Sequence, residues 1–160
     1  MADKIIARWQ DWSGEGVEHL VLTQNASDVI AESAIITKLD GHPMALRYRI
    51  RCDPSWQVRN VELAIIGDAR RVELTRDGRG NWFDGEGIAQ PQLSGAIDVD
   101  ISATPFTNTL PIRRLKLARG AAAENPCRLH LAAGARSPDR SAAVHISRCR
   151  RGPLSLRIRR

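Results

Sequence analysis

The sequence has few cysteines, few aromatic residues and no long apolar run. Its three cysteines, Cys52, Cys127 and Cys149, are odd in number and their spacing fits no metal motif, which argues against a disulfide framework and against a cysteine-based metal site. No apolar segment approaches the length that spans a membrane. The first residues, MADKIIARWQDW, lack the apolar core of a signal peptide. We therefore expect a protein of the reducing cytoplasm, with no integral membrane association.

The scarce aromatic residues and the excess of positive charge are both unevenly distributed. All seven aromatic side chains precede residue 107. Residues 1–124 hold 15 basic and 17 acidic side chains, whereas residues 125–160 hold nine basic and one acidic, and together they account for the net charge of +6. A basic folded domain is therefore excluded, and with it the usual reason to expect a nucleic-acid partner. Composition alone predicts that residues 125–160 form a disordered basic tail.

Residues 1–124 consist of short alternating segments separated by turns. Leu46, Tyr48 and Ile50 alternate with arginines over residues 45–52, a pattern that predicts a strand with one apolar and one cationic face. Further short runs occupy residues 19–23, 34–39, 58–66, 72–75, 82–83 and 97–103. Turn pairs such as Asp40-Gly41 separate them. The pattern predicts an all-β, antiparallel architecture, a strongly curved sheet that forms a half-barrel or open barrel around an apolar concave face.

Two segments are more specific than generic strands. They are WQDWSGEGVEHL at residues 9–20 and DVDISATPFTNTLPIRRL at residues 98–115. Together with Tyr48-Arg49-Ile50 and Asp53-x-x-Trp56, they resemble the bacterial family of putative glycolipid-binding proteins over about residues 9–124. The resemblance implies a partly open barrel like that of the lipoprotein-localisation factors, which carry acyl chains, and a small glycolipid-like ligand.

Residues 125–160 depart from the family, whose members continue there with strands rich in tyrosine and valine. When the codons are read one base later, residues 125–131 can encode Ile-Pro-Val-Ala-Tyr-Ile-Ser. Residues 142–147 and 150–157 also allow strand-like sequences that contain aromatic residues. We infer a single-base insertion near the codon for Glu124. The chain then divides into a C-terminally incomplete β domain, residues 1–124, and a frameshifted, disordered tail, residues 125–160.

Candidate ligand contacts come from aromatic, charged and amide side chains in the specific segments. An indole can cover an acyl chain or stack on a sugar, and arginine can bind an anionic head group. The alternatives are core packing of the tryptophans, a glutamate that is simply solvated, and arginines that pair with acids on neighbouring strands. The TPFTNTLP loop either closes a pocket or pins a turn. The candidates are Trp9, Trp12, Glu15, Tyr48, Arg49, Asn108, Arg113 and Arg114.

Catalysis has little support in the sequence. Asp98 and Asp100 share a strand face and could act as an acid–base pair in a hydrolase or isomerase, but a salt bridge with Arg113 or Arg114 explains them structurally. No nucleophile elbow, metal-ligand spacing or phosphate-binding glycine loop occurs. We expect a non-catalytic protein, without cofactor or metal, that binds a glycolipid or another amphipathic acyl ligand in an apolar pocket with an arginine rim. A hydrolase and a structural or partner-binding module are the alternatives, and a pocket closed by side chains would favour the module.

The inferred insertion is tested at the gene. Independent reads across the codon for Glu124 are expected to carry one base fewer than this sequence requires, and to open a frame that encodes tyrosine- and valine-rich strands after residue 124. Reads that give residues 125–160 in an intact frame would contradict the insertion.

Overall fold

Seven consecutive strands form one antiparallel sheet in which each strand pairs with the next along the chain. The computed structural model describes residues 2–39, 41–69, 71–117, 122–125, 128–135, 142–148 and 152–155, with side chains up to residue 117 except that of residue 39. This meander confirms the predicted antiparallel sheet, and the described chain as a whole is mostly β. Its strands are β1 Asp3–Gln10, β2 Val17–Gln24, β3 Val29–Leu39, β4 His42–Cys52, β5 Val58–Ile65, β6 Arg71–Arg76 and β7 Trp82–Asp84.

Alternation along the strands separates a buried inner face from an exposed outer face. On β4, Leu46 and Ile50 are fully buried, while Arg47 and Arg51 are exposed, as the period of two predicts. The predicted turn between β3 and β4 is also present. Gly41 there has a φ of 81°, in the left-handed region that glycine adopts without strain, while its neighbour Asp40 lies outside the described residues.

One stretch of chain, residues 91–114, lies against the inner face and is called here the covering segment. It contains two 3-10 helices (Pro91–Leu93 and Phe106–Asn108), strand β8 (Asp98–Ile101) and helix α1 (Thr109–Arg114). The Trp82 indole fixes it to the sheet, because its Nε1 donates a 3.0 Å hydrogen bond to the Ala96 carbonyl. The apolar side chains that it adds to the core are Leu93, Ala96, Val99, Ile101, Phe106 and Leu110.

The predicted half-barrel is wrong in one respect, because the sheet is neither closed nor strongly curled. Within the described residues β1 and β7 are its two edges and do not pair with each other. The covering segment supplies the physical reason. A sheet hides its apolar face either by curling around it or by placing other chain against it, and here Phe106 and Leu110 of the covering segment pack into the core on that face.

Further strands follow the covering segment. They are β9 (Ala122–Asn125), β10 (Arg128–Ala135), β11 (Ala142–Arg148) and β12 (Gly152–Ser155). Strand β10 pairs in parallel with β8 and antiparallel with β11, and β12 pairs with β9. The remaining residues beyond 117 lie outside the described ones, so the domain boundary at residue 124 and the frameshifted origin of the tail stay predictions.

Candidate functional site

A buried carboxylate, that of Glu18, joins the two characteristic segments of the sequence. Its side chain is on the inner face of β2 and the residue is only 4% exposed. The Ser33 and Tyr48 hydroxyls each donate a 2.7 Å hydrogen bond to its Oε1. The Trp9 indole and the Thr104 hydroxyl donate to its Oε2 at 2.5 Å and 2.7 Å. Four donors from four segments therefore satisfy the buried charge.

The TPFTNTLP loop is shaped by its own hydroxyl groups. Thr104 Oγ1, which donates to Glu18, also accepts a 3.0 Å hydrogen bond from the backbone N–H of Phe106. The Thr107 hydroxyl accepts from the backbone N–H of Ile101 at 3.3 Å. These bonds satisfy an irregular backbone internally, as the sequence predicts. They also place the Phe106 ring against Tyr48, with 6.4 Å between the ring centroids, so the loop pins the covering segment to the sheet.

Asp98 takes part in a buried ion pair. Its carboxylate is fully buried and accepts hydrogen bonds of 3.2 Å and 2.7 Å from Nε and Nη2 of Arg114. Asp100 accepts a 3.1 Å hydrogen bond from the Thr107 hydroxyl. This geometry matches the predicted salt bridge for Asp98, while Asp100 is held by a threonine hydroxyl of the same segment. It connects β8 to α1 within the covering segment.

The other predicted ligand residues do not converge on one pocket. Trp12 is fully exposed in the β1–β2 turn, and Glu15 in the same turn forms an exposed ion pair with Lys38. Arg113 lies over the Trp56 ring, with 5.5 Å between its guanidinium carbon and the ring centroid. Asn108 is exposed just before α1. Trp9 and Tyr48 are brought together at Glu18, to which both donate a hydrogen bond.

The arginines of β4 have different surroundings on the outer face. Arg49 forms ion pairs with Glu32 and Glu62 at 3.3 Å and 3.6 Å, and Arg51 pairs with Asp28 at 2.6 Å. Arg49 follows the predicted alternative of pairing with acids on neighbouring strands, whereas the acid that pairs with Arg51 lies in the turn just before β3. Arg47 is exposed and has no ion pair among the described residues. Of the three, Arg47 is therefore the one whose charge is available to a ligand.

Two grooves on the outer face meet and form one elongated depression, called here the outer groove. One, of about 530 Å³, is lined by the apolar side chains of Val17 and Ile36 and by the edge residue Trp9. The other, of about 550 Å³, is lined by charged side chains that include Arg47 and Arg71. His19 and Ala34 line both.

Glu18 and its partners Ser33 and Thr104 are not among the site residues predicted from the sequence. One signal for Glu18 was present, because it is in phase with the apolar Leu20 and Leu22 along β2 and therefore lies on the inner face. Nothing in the sequence marks the outer groove, since it depends on how six strands align across the sheet.

Comparisons with known proteins identify the family. A seven-stranded meander closed on one face by a covering segment defines the structural class. The family model described as "Putative glycolipid-binding" matches residues 6–131, and the chain belongs to this family, as its motifs predict. A DUF1089 family protein from Pseudomonas aeruginosa, known from a crystal structure, is 33% identical with a TM-score of 0.63, and the match covers 92% of this chain and 80% of that chain. No curated protein matches the chain.

The described residues contain neither of two other kinds of site. No three histidine, cysteine, aspartate or glutamate side chains among them come together in a way that could hold a metal ion. No helix in the described part of the chain is long and apolar enough to cross a membrane.

Replacing Glu18 tests the buried network. Glu18→Gln removes the charge that four donors share and places an amide N–H₂ beside them, so the free energy of unfolding is expected to fall by about 1.5–3 kcal/mol in urea. Glu15→Gln, which removes only an exposed ion pair with Lys38, is the matched control and should cost less than about 1 kcal/mol. Equal stability of the wild type and Glu18→Gln would contradict the network.

Tyr48 is the single tyrosine of the chain and reports on the same site. Burial, and then the charge of Glu18, raise the pKa of its phenol well above the ordinary value. The folded protein should therefore show no tyrosinate absorbance near pH 10, where the phenol of the urea-unfolded chain titrates. The stability that this group contributes is fully present below about pH 10 and is lost as the pH rises further. A native titration near pH 10 would place Tyr48 in solvent.

Proposed function

We propose that the protein binds an amphipathic molecule with an acyl chain, such as a glycolipid, in the outer groove, and that it does so without catalysing a reaction. The observation that carries the proposal is the joining of an apolar groove to a charged one at His19 and Ala34. A molecule with an apolar chain and a polar head has the same division. Family membership supports the proposal, and the cytoplasm remains the proposed location.

Exposed apolar side chains supply the driving force for this binding. Val17 is 49% exposed and Ile36 is 63% exposed, and they are directly opposite each other on β2 and β3. Ile36 is in turn opposite Ala45 on β4, whose carbonyl accepts a hydrogen bond from the backbone N–H of Ile66, itself an exposed apolar residue. Contiguous exposed apolar surface marks binding sites, and covering it with an acyl chain gains about 25 cal/mol per Å².

Core side chains occupy the inner face, and Asp98 forms an ion pair. Both observations support a binding role at the outer groove. An acyl chain on the inner face would have to displace Phe106 and Leu110, which belong to the core. Asp98 is committed to Arg114, so its charge balances an arginine instead of being available for proton transfer. Both observations also fit a structural or partner-binding module. Such a module, however, would not need an apolar groove next to arginines that have no ion pair among the described residues.

A matched pair of exposed isoleucines tests the proposal. Octyl, decyl and dodecyl maltoside, titrated calorimetrically below their critical micelle concentrations, are expected to bind with an affinity that rises up to about fourfold per methylene group. Ile36→Ser should weaken dodecyl maltoside binding by about tenfold, because Ile36 lines the groove. Ile88→Ser, at a similarly exposed position outside it (57% against 63%), should have no effect. Absence of binding, or an equal loss in both variants, would contradict the proposal.

A further inference from the structure

Three neighbouring transverse rows of side chains on the outer face are defined by the pairing of the strands. Each row is two residues from the next along every strand, which is about 7 Å. The apolar row is Val17, Ile36 and Ala45, continued on β1 by Gln10; the cationic row is Arg8, His19, Ala34, Arg47, Ala64 and Arg71; the acidic row is Glu32, Arg49, Glu62 and Glu73, continued on β2 and β1 by Val21 and Ile6. Across the outer groove the order is therefore apolar, cationic, acidic.

The cationic row lacks compensating charge. Arg8, Arg47 and Arg71 are exposed and form no ion pair with any residue that the structure describes. Alanines separate Arg47 from its neighbours, since Ala34 and Ala64 are its cross-strand partners. These short side chains leave room between the guanidinium groups, and Arg47 and Arg71 stand two strands apart, about 10 Å at the backbone. Two long arginine side chains can converge over such a gap on one anionic group.

The acidic row holds an unfavourable pair of its own. Glu62 and Glu73 are directly opposite each other on β5 and β6, and like charges in that arrangement destabilise a sheet. Arg49 forms ion pairs with both Glu62 and Glu32, whereas Glu73 has no ion pair within the described part of the chain. An excess of negative charge therefore faces the groove one row beyond the arginines.

We infer that the ligand's head group is zwitterionic, with its anionic group next to the acyl chain and its cationic group at the far end. The inference rests on the proposed function. An alkylphosphate esterified with an amino alcohol has this order, with its phosphate on Arg47 and Arg71 and its ammonium on Glu73 and Glu62. Such a head group supplies the charge that each row lacks.

The acidic row is what distinguishes this ligand from simpler ones. A purely anionic head group would gain the arginines but would lie about 7 Å from the acidic row, in which three glutamates share one arginine. A neutral sugar would leave both rows without a counter-charge. A zwitterion of the opposite order would set its cation on the arginines and its anion on the glutamates. The structure thus predicts an order of affinity for four amphiphiles that share one acyl chain and differ in head group.

Four dodecyl amphiphiles, titrated calorimetrically below their critical micelle concentrations, test the inference. Dodecylphosphocholine is expected to bind at least about tenfold more tightly than dodecyl maltoside and than dodecyl sulfobetaine, whose ammonium is next to the chain and whose sulfonate is distal. Dodecyl phosphate should fall between. Equal affinities for the two zwitterions would overturn the head-group inference while the proposed function stands. Failure of all four to bind would contradict both.

Two charge-removing variants give a signature that a general loss of binding cannot imitate. Arg47→Gln should weaken dodecylphosphocholine and dodecyl phosphate alike, by about tenfold. Glu73→Gln should weaken dodecylphosphocholine but strengthen dodecyl phosphate, with an unchanged or higher melting temperature because the pair with Glu62 is relieved. Arg79→Gln and Glu86→Gln, exposed loop positions outside the groove, are the controls. Parallel effects of Glu73→Gln on both ligands would overturn the inference.

Discussion

The buried carboxylate of Glu18 is the interaction on which the rest of the structure depends. A carboxylate removed from water is tolerated only where donors replace the lost hydration. Here they come from Trp9 on β1, Ser33 on β3, Tyr48 on β4 and Thr104 in the loop after β8. Because the four donors belong to distant parts of the chain, their hydrogen bonds fix the loop against the sheet. The covering segment is thereby positioned, and the inner face is closed.

Closure of the inner face leaves the outer face as the available surface. On a strand, each residue can serve only one face, so Tyr48 stabilises the core while its neighbours Arg47 and Arg49 face outward. The outer charges are not optimised for stability, since Glu62 directly opposes Glu73 and the cationic row has no acid within it. Proteins retain such unfavourable placements where a ligand compensates for them. The division of roles between the two faces thus links the buried network to the proposed binding.

Local patterns in the sequence predicted what depends on neighbours along the chain. Alternation identified most strands, and the glycine of the β3–β4 turn was found because glycine readily adopts the left-handed backbone. The edge strand β1 was not delimited, because its pattern is weak. Glu18 and the outer groove were missed because cross-strand register is a long-range property. Arg49 was selected as a ligand contact for its charge, but its acidic neighbours on β3 and β5 occupy it, while Arg47 has none among the described residues.

The central claim is that the ligand lies on the outer face of the sheet. Nuclear magnetic resonance with a dodecyl phospholipid that carries a nitroxide on its chain locates it directly, because the nitroxide broadens the amide signals of nearby residues. The account predicts broadening at Ala34, Ile36 and Ala45, which flank the apolar end of the outer groove. Broadening confined to Val99, Phe106 and Leu110 would place the chain on the inner face and contradict the account.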